Sequence, residues 1–477
     1  MRVVLMIKSI QGVPTMIGRT SELNQLEKMY ESDRFEFLVM YGRRRVGKTT
    51  ILQDFASRND LIFFPCQEKN DALNLLDFSK TLQRYFDGSF IAPFLSWGDA
   101  FSYITRKSAG RKTALVIDEF PFLAETNPTI KSILQHEIDH HWSSMPVFLI
   151  LCGSSVSFMI RDVMGEKSPL FGRVTQTREV LPFNYLDSAD FFPNYNNDEK
   201  IMAYSILGGV PRYLNAFTDT KCIEDNIAQG ILRNGAFLND EPEILLRTEL
   251  REPAVYNSIL EAISVGCNTP TRIADRIHED RTKVGKYLLT LQSIHLVERL
   301  VPCGESVRTR KAIYKISDNF YSFWYRYVFA NKSYNEMLGV KDAAREIMED
   351  LSNYLGPVFE DICKQYLMLK TMKRELPFVP YSIGKWWGNN PATKKQDDID
   401  VLALNKKGDA GIFCECKWRN KAVSMDDYDK LISSMQAFPA VREKHMYFFS
   451  KGGYTEPVKA RAKRDGSVLL SIDDLFI

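Results

Sequence analysis

Gly42, Arg43, Arg44, Arg45, Val46, Gly47, Lys48 and Thr49 form the pattern G-x-x-x-x-G-K-[ST], and Thr50 follows it as a further candidate binding residue. That pattern suits one task, holding a polyphosphate. The glycines let the backbone turn tightly and approach phosphate oxygens closely. The loop amides and the N-terminus of a following helix, with roughly half a positive charge from its dipole, face the anion. Lys48 would reach the β- and γ-phosphates, and Thr49 would ligate Mg²⁺. The ligand implied is ATP with Mg²⁺.

Such a loop needs a strand before it and a helix after it. Phe35 to Tyr41 reads as the strand and Ile51 to Ser57 as the helix. A second strand, Thr113 to Asp118, is a continuous apolar run, as a strand buried on both faces of a parallel sheet should be. It ends in Asp118 and Glu119. Asp118 is expected to hold Mg²⁺ through its water shell, and Glu119 to polarise the attacking water. A third strand, Val147 to Leu151, runs into Ser154, the candidate sensor of the γ-phosphate. Beyond it, Arg173 lies on a loop. An arginine clamp on the transition state is worth roughly 10³–10⁵ in rate where it operates. If Arg173 acts in trans, the chain forms a homo-oligomer around ATP; if in cis, a monomer suffices.

Together these residues resemble the archaeal-type ATPases of the AAA+/STAND group of P-loop NTPases. The resemblance begins at Ile17-Gly-Arg-Thr-Ser-Glu22, similar to the family's GR-x-x-E box. It continues through Tyr41 to Thr49, Ile117-Asp-Glu119, Gly153-Ser-Ser155, Pro169-Leu-Phe-Gly-Arg173 and Leu207-Gly-Gly-Val-Pro-Arg-Tyr213. The last resembles a lid motif, which implies that Pro211 approaches the nucleotide. Members typically carry a winged helix after the lid. One branch adds a C-terminal domain resembling PD-(D/E)xK nucleases.

Pro253 to Ser317 fits a winged helix. Helices are expected at 255–266, 269–277 and 281–292, and hairpin strands at 296–301 and 312–316. Arg281, Lys283 and Lys286 on the third helix, with Arg308, Arg310 and Lys311 on the wing, would touch DNA phosphates without reading sequence. The remainder reads helix (354–370), strands (378–387, 399–404, 411–418), helix (426–438) and strand (445–450). That order resembles the αβββαβ core of restriction-endonuclease-like nucleases. The chemistry would need two acids on Mg²⁺ or Mn²⁺ and a lysine near the attacking water: Asp400, Glu415 and Lys417. Strand periodicity puts Glu415 and Lys417 on one face and Cys414 and Cys416 on the other. Glu360 matches the helix glutamate of many such nucleases.

The expected architecture is α/β: a P-loop core with a parallel sheet (1–180), a helical lid (181–250), a winged helix (251–317) and a nuclease-like α/β domain (318–477). The chain's 477 residues exceed one hydrophobic core. A net charge of +2 confines any nucleic-acid surface to a local patch. The apolar run Val3 to Ile7 is too short for an export signal, and no window approaches a membrane span, so a cytoplasmic protein is expected. His136-Glu-Ile-Asp-His140 matches the zinc-protease pattern H-E-x-x-H. It falls where the fold needs a crossover helix, and no third ligand follows nearby. Two functions compete: an ATPase whose nucleotide state controls DNA cleavage by the C-terminal domain, and an ATP-driven switch that binds DNA or protein with an inert C-terminal domain.

Overall fold

The computed structural model describes residues 16–477. The run Val3 to Ile7 lies outside them. The chain divides into two compact units, one ending at Pro182 and the other spanning Phe183–Ile477.

In the first unit, strands β1 (Glu36–Tyr41), β2 (Ile62–Pro65), β3 (Thr113–Asp118), β4 (Val147–Gly153) and β5 (Gln176–Glu179) form a parallel sheet in the order β2-β3-β4-β1-β5. Apolar side chains leave both faces of the central strands, and each face needs cover. Val39, Ile117 and Leu151 pack with Trp97, Phe101 and Trp142 on one side. Met40, Val116 and Ile150 pack with Leu52 and Phe55 of helix α1 (Lys48–Arg58) on the other. Parallel strands bring their carboxyl ends to one edge: Tyr41 is level with Gly153, and Pro65 with Asp118. Ligands of such sheets bind outside that edge.

Helix α2 (Ile130–His140) is the crossover between β3 and β4, and the H-E-x-x-H residues lie on it. Glu137 is buried and accepts a hydrogen bond from the Thr105 hydroxyl, which itself accepts from Trp142 Nε1 at 2.8 Å. This glutamate serves packing.

In the second unit, helix α3 (Asn197–Leu207) starts on a capping box between Asn196 and Glu199. Helices α4 (Pro253–Ser264), α5 (Pro270–Ile277) and α6 (Arg281–Ser293) follow, then the antiparallel hairpin of β6 (Val297–Leu300) and β7 (Ile313–Ile316). Thr269 and Asp280 cap α5 and α6 by accepting backbone N–H bonds. Helix α7 (Val340–Met372) leads into β8 (Ser382–Asn390), β9 (Lys395–Leu404) and β10 (Ala410–Lys417), then α8 (Met425–Ser434), β11 (Glu443–Ser450) and β12 (Val468–Leu470). The sheet order is β12-β11-β10-β9-β8; β9 runs antiparallel to both its neighbours, β8 and β10, and β11 and β12 run parallel to β10.

One apolar core runs through this unit, from Ile201 and Tyr213 through Leu260 and Leu288 to Phe359, Ile362 and Cys363 of α7, and on to Val401, Cys414 and Cys416. Phe413 and Phe448 face the other way, onto Tyr428 and Leu431 of α8. The two cysteines thus point into the packed face under α7. Among the described residues no helix is long and apolar enough to cross a membrane.

A shared core should melt as one. Ile362, fully buried, is its pivot, and Ile362→Ala should cost about 2–5 kcal/mol. Urea unfolding followed by tryptophan fluorescence and far-UV dichroism should show one shifted transition for this unit. Two separated transitions would refute the shared core.

Candidate nucleotide and acid-cluster sites

At the carboxyl edge of the first sheet, Gly42 and Gly47 have φ of 152° and 95°, values glycine tolerates best. A Cβ on Gly42 would stand 2.4 Å from the Val180 carbonyl oxygen. Arg45 adopts φ 72° within the same loop. The Lys48 ammonium is buried and donates to the carbonyls of Gly42 (2.6 Å) and Arg43 (2.9 Å). Thr49 Oγ1 donates to Asp118 Oδ2 at 2.8 Å. Glu119, at φ 51° and ψ 44°, opens the next helix, and its Oε2 accepts from Ser154 Oγ (2.9 Å) and Ser154 N–H (3.3 Å). Arg19 Nη2 donates to the Val46 carbonyl at 2.8 Å while Nη1 pairs with Glu22 at 3.2 Å. The GR-x-x-E box is therefore a strut under the loop.

Arg173 is engaged elsewhere. Its Nε and Nη2 bind both oxygens of Asp139 at 2.6 Å, and Nη1 donates to the carbonyls of Pro169 and Phe171 at 3.0 Å. This bidentate pair holds the Asp139 carboxyl below its usual range.

In the second unit, the pairing of β8 with β9 skips. Gly384 faces Leu402, but Trp386 faces Ile399, so Lys385 alone opposes Val401 and Asp400. This is a β-bulge, which re-aims side chains. Ile399 and Leu402, three apart, consequently pack on the same face. Asp400 Oδ2 accepts the Cys416 N–H at 2.8 Å and lies 3.8 Å from Lys417 Nζ. Lys417 also pairs with the buried Glu415 Oε1. Lys385 Nζ donates to Glu360 Oε2 at 2.8 Å and lies 3.5 Å from Asp398 and 4.0 Å from Asp400. Burial, then the charge of Asp400, pushes the Glu360 carboxyl up to about 7. The same causes raise Glu415. Burial opposes the Lys417 charge, but Glu415 and Asp400 hold its ammonium above the usual range. A cleft of about 550 Å³ opens over this cluster, lined by Glu298 and Lys315 of the β6–β7 hairpin and by Glu360, Lys385, Trp387 and Asp400.

Residues 16–217 match the model of an ATPase domain predominantly from Archaea, and residues 324–430 match a family of archaeal and bacterial proteins of unknown function. An uncharacterised protein of Methanocaldococcus jannaschii is 32% identical over 436 residues, spanning 87% of this chain and 94% of its own length. The chain belongs to the archaeal-type ATPase family. Among solved structures, a Walker-type ATPase of Pyrococcus abyssi is similar with TM-score 0.48 and 21% identity, covering 65% of this chain and 96% of that one. The ORC2 protein of Aeropyrum pernix is similar with TM-score 0.40 and 14% identity, covering 68% and 96%.

In this archaeal-type ATPase, Lys48, Thr49, Asp118, Glu119 and Ser154 converge, whereas Arg173 is turned to Asp139. Pro211 begins the short helix Pro211–Leu214 of the second unit. Arg281, Lys283, Lys286, Arg308, Arg310 and Lys311 are exposed; Lys283 pairs with Glu279 and Lys311 with Glu305, surface contacts of small energy. Sequence reasoning missed three site residues. Arg19 was visible only as part of a motif without a role, Asp139 sat unmarked inside H-E-x-x-H, and Lys385 has no local signal.

The donor sets fit hard divalent cations, which take oxygen ligands. Thr49 Oγ1 and Asp118 form one such set, and Asp400 with Glu415 another. Among the described residues no three His, Cys, Asp or Glu side chains form a complete cage, so water and substrate oxygens would finish each shell.

The Glu360 shift has a stability consequence. An acid raised from 4.5 to about 7 binds its proton more tightly when folded. Its contribution is full below the ordinary value and is lost as pH rises through the folded one. Urea midpoints should fall between about pH 4.5 and 7, and Glu360→Gln should flatten that fall. Equal pH slopes in both proteins would contradict the assignment.

Proposed function

We propose that the chain binds ATP with Mg²⁺ at Gly42–Thr50, hydrolyses it, and uses the nucleotide state to govern metal-dependent cleavage of DNA by the C-terminal acid cluster. The ATP half rests on one observation: Lys48, Thr49, Asp118, Glu119 and Ser154 gather at one sheet edge, bonded to each other or to the loop. Phosphate oxygens would replace the Gly42 and Arg43 carbonyls as partners of Lys48. Thr49, and Asp118 through water, would hold Mg²⁺, which would supply neutralisation of the phosphate charge. A γ-phosphate that draws Ser154 away frees Glu119 to orient the attacking water. Arg173 must leave Asp139 before it can meet transition-state charge, so hydrolysis needs a rearrangement of the loop after β4.

The DNA half rests on the meeting of Asp400, Glu415, Lys417 and Glu360 in one cluster. Asp400 and Glu415 would hold a divalent metal, which would polarise the phosphate and make a bound water more acidic. Lys417 would orient the water that attacks phosphorus, its proton passing to solvent as the bond to the leaving oxygen breaks. The six exposed cations of α6 and the β6–β7 connection support a phosphate-gripping surface for DNA. The second reading, an ATP-driven switch with an inert C-terminal site, draws on the pairing of the cluster's acids with lysines.

Lys48→Ala should abolish ATP binding. Glu119→Gln should keep it but slow hydrolysis by about 10²–10⁴. With Mn²⁺ or Mg²⁺, wild type should cut at least one of single-stranded, duplex or branched DNA, Lys417→Ala should cut none, and Lys48→Ala should change the ATP response. Intact DNA throughout, with ATP hydrolysis preserved, would leave the switch reading.

A further inference from the structure

Lys385 belongs to no motif, yet it sits at the most acidic point of the C-terminal cluster. Its ammonium bridges elements distant in sequence: Glu360 of α7 at 2.8 Å, Asp398 at 3.5 Å and Asp400 at 4.0 Å, the last two on β9. The bulge makes this contact, because Lys385 alone spans the two β9 residues Asp400 and Val401.

The two oxygens of Asp400 differ. Oδ2 is engaged by the Cys416 N–H and lies near Lys417. Oδ1 is approached by Lys385. It is the oxygen left to receive a metal, and Lys385 stands before it. Lys385, Glu360 and Asp400 line the cleft, whereas Glu415 and Lys417 do not. Within the cleft, Lys385 stands beside Glu360 and Asp400.

The charges agree. Glu360, Asp398, Asp400 and Glu415 are ion-paired with three ammonium groups, Lys385, Lys417 and Lys430, the last 3.9 Å from Asp398, while the nearby Lys315 is paired with Asp361. Without Lys385, two negative charges would be unbalanced, the charge of one divalent ion. Two cations at Oδ1 would repel each other.

We propose that Lys385 is the resident cation of this site, holding the place of a divalent metal between Glu360 and Asp400 and swinging into the cleft when the metal binds. The proposal rests on Asp400 and Glu415 as metal ligands. Once displaced, the ammonium lies in the path of a DNA phosphate, so metal and phosphate should favour each other's binding.

The test is Mn²⁺ binding to the full-length, nucleotide-free protein, followed by the electron paramagnetic resonance of free Mn²⁺. Asp400→Asn serves as the blank that marks binding at this cluster. Lys385→Met should bind Mn²⁺ about tenfold more tightly or better, while Lys385→Arg, which keeps the cation, should stay near wild type. Thermal melts check folding, and Lys385→Gln replaces the methionine variant if that one does not fold. Affinity in Lys385→Met equal to or weaker than wild type overturns the proposal, as does the absence of any Asp400-dependent Mn²⁺ binding. Tighter binding without DNA cleavage would remove the nuclease reading and leave the role of Lys385 standing.

Discussion

A charge withdrawn from water must be paired, and both candidate sites are organised by that requirement. Lys48, Asp118 and Glu415 are 5%, 2% and 3% exposed, and an unpaired ion at such depth costs several kcal/mol. Each has therefore found a partner within its own site: loop carbonyls for Lys48, Thr49 for Asp118, Lys417 for Glu415. Less buried groups follow the same rule, Glu119 with Ser154, Arg173 with Asp139 and Lys385 with Glu360. A ligand at either site does not fill an empty set of valences. It exchanges partners with groups already satisfied, so its affinity depends on the difference between two pairings and is sensitive to ligand charge.

Backbone geometry supports the same arrangement. Arg45 and Glu119 occupy the left-handed region, which costs a side-chain-bearing residue about 1–3 kcal/mol when surroundings enforce it. Glu119 is held there from several sides: its N–H donates to Asp118 Oδ1 at 3.0 Å, its carbonyl accepts from Phe122 at 3.1 Å, and Ser154 holds its carboxylate. Losing the Ser154 bond leaves the backbone constraints in place. The carboxylate can change partner without the residue moving, which suits a group that must wait for a γ-phosphate and then act on water.

Much of this was legible in the sequence, for identifiable reasons. β1, β3 and β4 were readable because strands buried on both faces are unbroken apolar runs, and the P-loop because its spacing leaves few alternatives. Element ends were less so. The helix expected from Tyr354 begins at Val340 and passes through Gly356-Pro357, since burial of Ala344, Ile347 and Leu351 outweighs the local break. β9 starts at Lys395 rather than Ile399 because Gln396, Asp397 and Asp398 pair across a hairpin with Asn389, Gly388 and Trp387. Their polarity hid a strand that pairing sustains. Lys385 could not be read at all. Its role depends on a bulge, and a bulge is a property of the register between two strands.

The bulge also explains why the acid cluster persists. Glu360, Asp398, Asp400 and Glu415 repel one another, and nothing electrostatic would gather them without cations. Apolar packing does it. Phe359 and Ile362 on either side of Glu360 lie in the same core as Val401, Cys414 and Cys416, which flank Asp400 and Glu415. Ile399 and Leu402 pin β9 from the opposite face. A β9 relaxed into regular alternation would carry either Ile399, or Val401, Leu402 and Ala403 together, out of core position, and burying one large apolar side chain is worth about 1.5–3 kcal/mol. The hydrophobic layers on both faces thus fix the spacing of the carboxylates, and the lysines answer the charge that this spacing creates. Replacing a lysine changes which cation the acids prefer; loosening the core would change whether they meet.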